Sequence, residues 1–340
     1  MKQLQYDEWL KYIKNEIQLL LPKDVGYQVQ LDRRISNNGT SIDSVIIRRD
    51  NEAVSPAIRL KQYYDFQLSN QCSITAAAQM VVNDYQDAMQ DNNVMQLNDM
   101  REDLHSLSWD FVKDKVFLRL ISTEKNMELL RTTPYETFGD MALVARIKML
   151  EMKDGIGTAL VDNKVLDQMG IDKESLFEQA KENTPKLFPA KIENMAEKML
   201  YMMYGSNPPE EAKAMLEETN EMPMYVVSNA YGMDGAAAVT YPGIEAQLKE
   251  LLGGDFLLLP SSVHEFLAIK RTDIPVEAAT EMVHEANATA VDAADFLSES
   301  VYTLKNGECI NLTREMELEN SISSELDNMQ AMDEGMDLEM

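Results

Sequence analysis

Between positions 224 and 270 short apolar runs are cut at close intervals by Gly, Pro and Ser, and this spacing limits the possible folds more than any other feature of the chain. It predicts strands at 224–229 and 236–241, a helix at 244–252, and strands at 256–259 and 263–270. Most of these strands lie too close together for a crossover helix, so they pair antiparallel. The expected class is α+β, with mostly antiparallel or mixed sheets and helices packed on one face, rather than a doubly wound parallel sheet.

The rest of the chain fits that class. Leu4, Trp9, Ile13, Ile17, Leu20 and Leu21 recur at near-helical spacing and stop at Pro22, which predicts an opening helix. Runs at 27–35 and 42–49, joined by turn formers at 36–41, predict a β-hairpin. Ile74, Ala77, Ala78, Val81, Val82, Tyr85 and Met89 share one helical face. Further on, the pattern predicts a strand at 116–121 and a short helix at 127–130 that ends before Pro134. Strands at 141–149 and 156–161 flank Lys153-Asp154-Gly155, a hairpin turn signal. Helices follow at 173–182 and 190–203, then a helix from Pro275 to about Asn287 and strands at 301–304 and 309–312. These elements group into lobes at 1–123 and 124–312, with an acidic tail at 313–340 that is expected to be disordered or loosely helical.

Charge narrows the function classes. The 340 residues hold 31 Lys and Arg against 58 Asp and Glu, a net charge of -27. Long-range attraction for nucleic acid or an anionic membrane is thereby excluded, and the expected partner is a neutral or basic protein. Cys72 and Cys309 stand 237 positions apart, which indicates neither a disulfide framework nor a zinc cluster. No apolar stretch has the length of a signal peptide or of a membrane span. The expected location is the cytoplasm, and no cofactor or metal is expected.

No phosphate loop, dinucleotide fingerprint, zinc-protease helix or nucleophile elbow occurs. His264-Glu265 and His284-Glu285 are two His-Glu pairs, but His284 falls on the polar side of its helix among Glu277, Thr280 and Glu281. His105 lies in a poorly patterned stretch. Ser261, Ser262, His264 and Glu265 form the one candidate site, either binding or structural. Read as a strand, 263–270 sets Glu265 in an apolar row with Val263, Leu267 and Ile269, so the carboxylate is expected to be largely buried and to accept hydrogen bonds from donors near Ser261 and Ser262. Arg33, Arg34, Arg48 and Arg49 are interleaved with Asp32, Asp43 and Asp50 and read as a solvated hairpin rather than a nucleic-acid surface. Met195, Met199, Met202 and Met203 recur at helical spacing, as core or as an adaptable interface.

Leu258-Leu259-Pro260-Ser261-Ser262-Val263-His264-Glu265, positions 224–229 and Glu285-Ala286-Asn287-Ala288-Thr289 together resemble a family of uncharacterised proteins, a domain of unknown function, from Gram-positive anaerobic bacteria. Pro134, Phe138-Gly139-Asp140 and Asn183-Thr184-Pro185 also match, over roughly 5 to 310. The resemblance implies a self-contained bacterial domain, sometimes found among mobile-element genes, and carries no catalytic residue, ligand or partner. Three functions remain open. The first is a non-enzymatic binding or interaction module; the second is a small-molecule enzyme of hydrolase type using Ser262, His264 and Glu265; the third is an acidic nucleic-acid mimic that occupies a DNA-binding protein.

Overall fold

The computed structural model describes residues 5–49, 52, 55–91, 94, 108–152, 155–219 and 222–322. His105, the turn residues Lys153 and Asp154, and positions 323–340 of the acidic tail lie outside the described residues. The chain divides into two compact units, one made of Met1–Lys115 with Arg146–Lys173 and one of Val116–Ala145 with Glu174–Met340.

The strands are β1 (Gln28–Ile35), β2 (Ser41–Arg48), β3 (Ala57–Arg59), β4 (Val116–Ser122), β5 (Tyr135–Phe138), β6 (Met141–Met152), β7 (Gly155–Leu160), β8 (Ala190–Asn194), β9 (Met224–Asn229), β10 (Phe256–Ser262), β11 (Glu265–Lys270), β12 (Tyr302–Lys305) and β13 (Glu308–Asn311). The helices of nine or more residues with both ends described are α1 (Tyr6–Leu20), α2 (Lys61–Asn70), α3 (Ile74–Met89), α4 (Lys173–Leu187), α5 (Met195–Tyr204), α6 (Glu210–Thr219), α7 (Ile244–Leu252) and α8 (Val276–Thr289). The architecture is α+β with antiparallel sheets.

In the first unit, Trp9, Ile13 and Ile17 of α1 pack with Val45 and Ile47 of β2 and Ala77, Ala78 and Val81 of α3. Helix α3 starts where Ser73 caps it by accepting the Ala76 N–H at 3.1 Å. The β1–β2 arginines are solvated ion pairs: Arg33 reaches Asp43 at 2.6 Å and Asp7 at 2.8 Å, and Arg34 pairs with Asp32.

The second unit is built on a six-stranded sheet in the order β13-β12-β10-β11-β9-β8. Leu257 and Leu259 of β10 pack with Ala279 and Val283 of α8. Strands β9, β12 and β13 and helix α7 form where the sequence places them, to within a residue. Pro260 sits inside β10 because the β10–β11 ladder shifts register between Pro260 and Ser262, a position that does not require its missing N–H.

Two expectations are overturned here. Positions 235–240 are a 3-10 helix, not a strand, and Gly235, Ala236, Ala237, Ala238 and Val239 are all buried. The chain comes so close to its neighbours at Gly235 that an added Cβ would lie 2.2 Å from Ser228 Oγ, 2.6 Å from the His264 carbonyl and 2.7 Å from the Asn229 nitrogen, which leaves room only for a small-residue coil. Positions 190–203 are not one helix either. They split at Asn194 into edge strand β8 and helix α5, because the Asn194 side chain accepts the Ala196 and Glu197 N–H groups and β9 takes up the residues before it.

Past β13 the chain is helical from 312 to 322. Thr313 is buried, with its Oγ accepting the Val301 N–H at 2.9 Å, whereas Leu318 and Ile322 are exposed.

Candidate functional site

Ser262 pairs with Glu265 across the β10–β11 hairpin, so Val263 and His264 form its two-residue tip. All four sequence candidates meet at this tip. Ser262 Oγ accepts the His264 main-chain N–H at 3.1 Å, and Ser261 Oγ donates to one Glu265 oxygen at 3.4 Å. Lys198 Nζ of α5 donates to the other, also at 3.4 Å. The expected hydrogen bond from Ser261 is present, but the Glu265 side chain keeps 29 % of its surface and is half-buried rather than largely buried. Val263 and His264 make the turn, so Glu265 opens β11 at the end of the sheet, where solvent reaches the carboxylate.

His264 has partners on both ring nitrogens. Nδ1 accepts the Asp234 N–H at 3.0 Å, and Nε2 lies 3.4 Å from Asp295 Oδ1. With Nδ1 accepting, the neutral ring carries its proton on Nε2, facing the carboxylate. The His264 carbonyl accepts Ser228 Oγ at 2.7 Å, and the Val263 N–H reaches the Asp295 carbonyl at 2.8 Å. Asp234, in a left-handed conformation at φ 52°, lies 2.9 Å from the largely buried Arg119 Nε, out of line for a hydrogen bond. These contacts tie the hairpin tip to the 228–236 and 292–296 segments. The Ser262 hydroxyl bonds the His264 main chain and not its ring, so the ring is not placed to activate it as a nucleophile.

A second polar cluster surrounds Asp140 in the β5–β6 turn. Its carboxylate accepts the Tyr302 hydroxyl, Asn311 Nδ2 at 3.2 Å and Ser300 Oγ at 3.4 Å. Burial first, and then Asp140, pushes the Cys309 thiol up to about 12 and raises the Tyr302 phenol. Both are held neutral at physiological pH, which suits a fixed structural contact and not a nucleophile. A depression of about 400 Å³ beside α7 is lined in part by Glu245, whose carboxylate is occupied by Lys249 at 2.6 Å and by the Gly307 N–H at 2.9 Å.

Sequence reasoning missed a third place because it read 190–203 as a single helix. A groove of about 590 Å³ runs between β8, at positions 191–194, and Lys198, Tyr201 and Met202 of α5. None of the ten residues of α5 is buried. Met202 is 78 % exposed and Met203 73 %, and Met199, Tyr201, Tyr204, Met215 and Met222 are exposed as well. The methionines are therefore not core. A helix with so many large apolar side chains around it ordinarily lies inside a protein. The overlooked signal was the Asn194–Glu197 spacing of a helix start, which marks the residues before it as a separate element.

His284 is exposed on α8, 3.7 Å from Glu299. Among the described residues no group of three His, Cys, Asp or Glu side chains is placed to hold a metal ion, and no helix is long and apolar enough to cross a membrane.

A family model described as a family of unknown function (DUF5688) matches residues 6–305. No curated protein and no solved structure matches the chain.

Proposed function

The chain belongs to that family of unknown function, and with no activity to inherit from it we propose that it is a protein-interaction module without catalytic chemistry of its own, binding through α5 and the groove beside β8. The observation that carries this reading is the helix itself, none of whose ten residues is buried, with Met199, Met202 and Met203 standing in solvent. Flexible thioethers and tyrosines fit varied apolar surfaces, and exposed apolar patches mark binding sites. The enzymatic reading of Ser262, His264 and Glu265 loses ground because both imidazole nitrogens and the serine hydroxyl are engaged in fixing the hairpin tip. The net charge of -27 favours neutral or basic protein partners over nucleic acid, and the two free cysteines suit a reducing, cytoplasmic setting. The resemblance noted for 258–265 supports a source among Gram-positive anaerobes.

The test is a photo-crosslinking side chain placed at 202 or 203, with one at the exposed Glu281 of α8 as the control. Discrete protein adducts from α5 and none from α8 are expected. Equal adducts from both positions, or none from either, would overturn the reading.

A further inference from the structure

We infer that β8 is a self-complementary sheet edge, and that the partner it takes is β8 of a second copy of this chain, paired antiparallel about a twofold axis midway between the two Ile192 residues. The inference rests on the interaction-module reading and narrows it to one occupant.

Among the described residues the sheet order ends at β8, which leaves its outer edge open. Its ladder to β9 is regular over five pairs, from Ala190 opposite Asn229 to Asn194 opposite Tyr225. The Ala230 N–H donates to the Pro189 carbonyl at 2.9 Å, and continuing the register makes these two residues direct opposites. In an antiparallel ladder hydrogen-bonded and non-bonded pairs alternate. Lys191 and Glu193 therefore bond β9, while Ala190 and Ile192 turn their N–H and C=O groups outward to the open edge. Pairing centred on Ile192 meets that requirement. It sets Ile192 against Ile192 and Ala190 against Asn194 as bonded pairs, the positions whose backbone faces outward.

The same register sets Lys191 opposite Glu193 of the copy, twice by symmetry, in the closer non-bonded pairs. Within one chain Lys191 Nζ already lies 2.9 Å from Glu193 Oε1, so the seam would hold four charges of alternating sign. Charges on an edge strand ordinarily block pairing, but here they block the two neighbouring registers, which would set Lys191 against Lys191 or Glu193 against Glu193, and favour the one centred on Ile192. A five-residue edge is small against the roughly 800 Å² per partner of a stable interface, and α5 supplies the remainder. The Lys198 contact to Glu265 places α5 over the face that carries Lys191 and Glu193, because Glu265, Ser228 and Lys191 lie in line across β11, β9 and β8. A twofold axis perpendicular to the sheet keeps that face on the same side in both copies. Two α5 helices then flank the seam, where Tyr201 and Met202 of each can be covered.

Sedimentation equilibrium at about 0.15 M salt, where the Debye length is roughly 8 Å and the -27 charge is largely screened, tests this. The wild-type chain is expected to dimerise. Lys191→Glu and Glu193→Lys each place like charges opposite one another and should weaken the dimer by about tenfold or more. Mixing the two variants in equal amounts should restore it, since the mixed dimer has Glu opposite Lys at both positions. Both side chains are at least one-third exposed, and circular dichroism confirms the fold of each variant. A monomeric wild type, or a mixture no tighter than its components, would overturn the inference. Crosslinks from α5 to a different protein together with a monomeric wild type would sink self-pairing and leave the module reading standing.

Discussion

Replacing Gly235 by Ala should unlock the hairpin tip, and the structure sets the size of the effect. The new methyl would meet Ser228 Oγ at 2.2 Å, which can rotate away, but also the His264 carbonyl at 2.6 Å and the Asn229 nitrogen at 2.7 Å, which cannot. Overpacking of this kind costs about 1 to 3 kcal/mol. Displacing Ser228 also breaks its 2.7 Å bond to the His264 carbonyl, worth about 1 kcal/mol more. Gly232→Ala is the matched control. Gly232 has φ +66° and nothing within 4 Å of the new Cβ, so it bears only the left-handed backbone cost of about 1 to 2 kcal/mol. Both tryptophans, Trp9 and Trp109, belong to the first unit, so their fluorescence does not follow the second. Hydrogen exchange in β10 and β11, read alongside urea denaturation by circular dichroism, does follow it. At a urea slope of about 3 kcal/mol per molar, a loss of 3 kcal/mol lowers the midpoint by about 1 M. If Gly235→Ala shifts no further than Gly232→Ala, then Gly235 is not the lock between the 228–236 segment and the hairpin.

Other outcomes follow from the same contacts. Glu265→Ala should cost less than about 1 kcal/mol by chemical denaturation, because the carboxylate is part exposed and its two contacts are long; a loss of 2 kcal/mol or more would mean that the site is buried after all. Glu245 is held below its ordinary value, first by Lys249 and then by the Gly307 N–H, so the stability it adds is fully present above about pH 4.5 and disappears as pH falls through the lowered folded value. Glu245→Gln should therefore lie below wild type in midpoint at pH 7 and converge with it in acid, and a constant gap across that range would contradict the assignment. Cys309, half-buried and with its thiol pushed up to about 12, should react more slowly with a thiol reagent at pH 8 in the folded chain than in the unfolded one; native labelling as fast as in the unfolded chain would refute the raised thiol.

The sequence was most legible where side-chain period and punctuation agreed. Helix α3 shows its buried stripe, and β9 and α7 sit between Gly and Pro signals that fix both ends. It misled where a tertiary constraint outweighed the local pattern. The Ala-rich run after Gly235 has the length of a strand, but its closeness to Ser228 and His264 compresses it into a 3-10 coil, a condition set by residues distant in sequence. The 190–203 stretch is rich in helix formers, and only the bonds of Asn194 to Ala196 and Glu197 show where helix gives way to strand. The candidate site was legible as a group of residues and not as a geometry, since spacing puts Ser262 near His264 without saying that the hydroxyl bonds the main chain. Exposure of Met202 and Met203 could not be read at all, because a methionine stripe at helical period looks the same facing a core or facing solvent.

Amide hydrogen exchange across 190–204 at low and high protein concentration tests the interface most directly. Ala190 and Ile192 turn their N–H groups to the open edge, so pairing with a second copy would protect those amides as concentration rises and slow exchange in α5 with them, while the buried β10 amides stay unchanged. Exchange at Ala190 and Ile192 that is equally fast at every concentration would contradict the account.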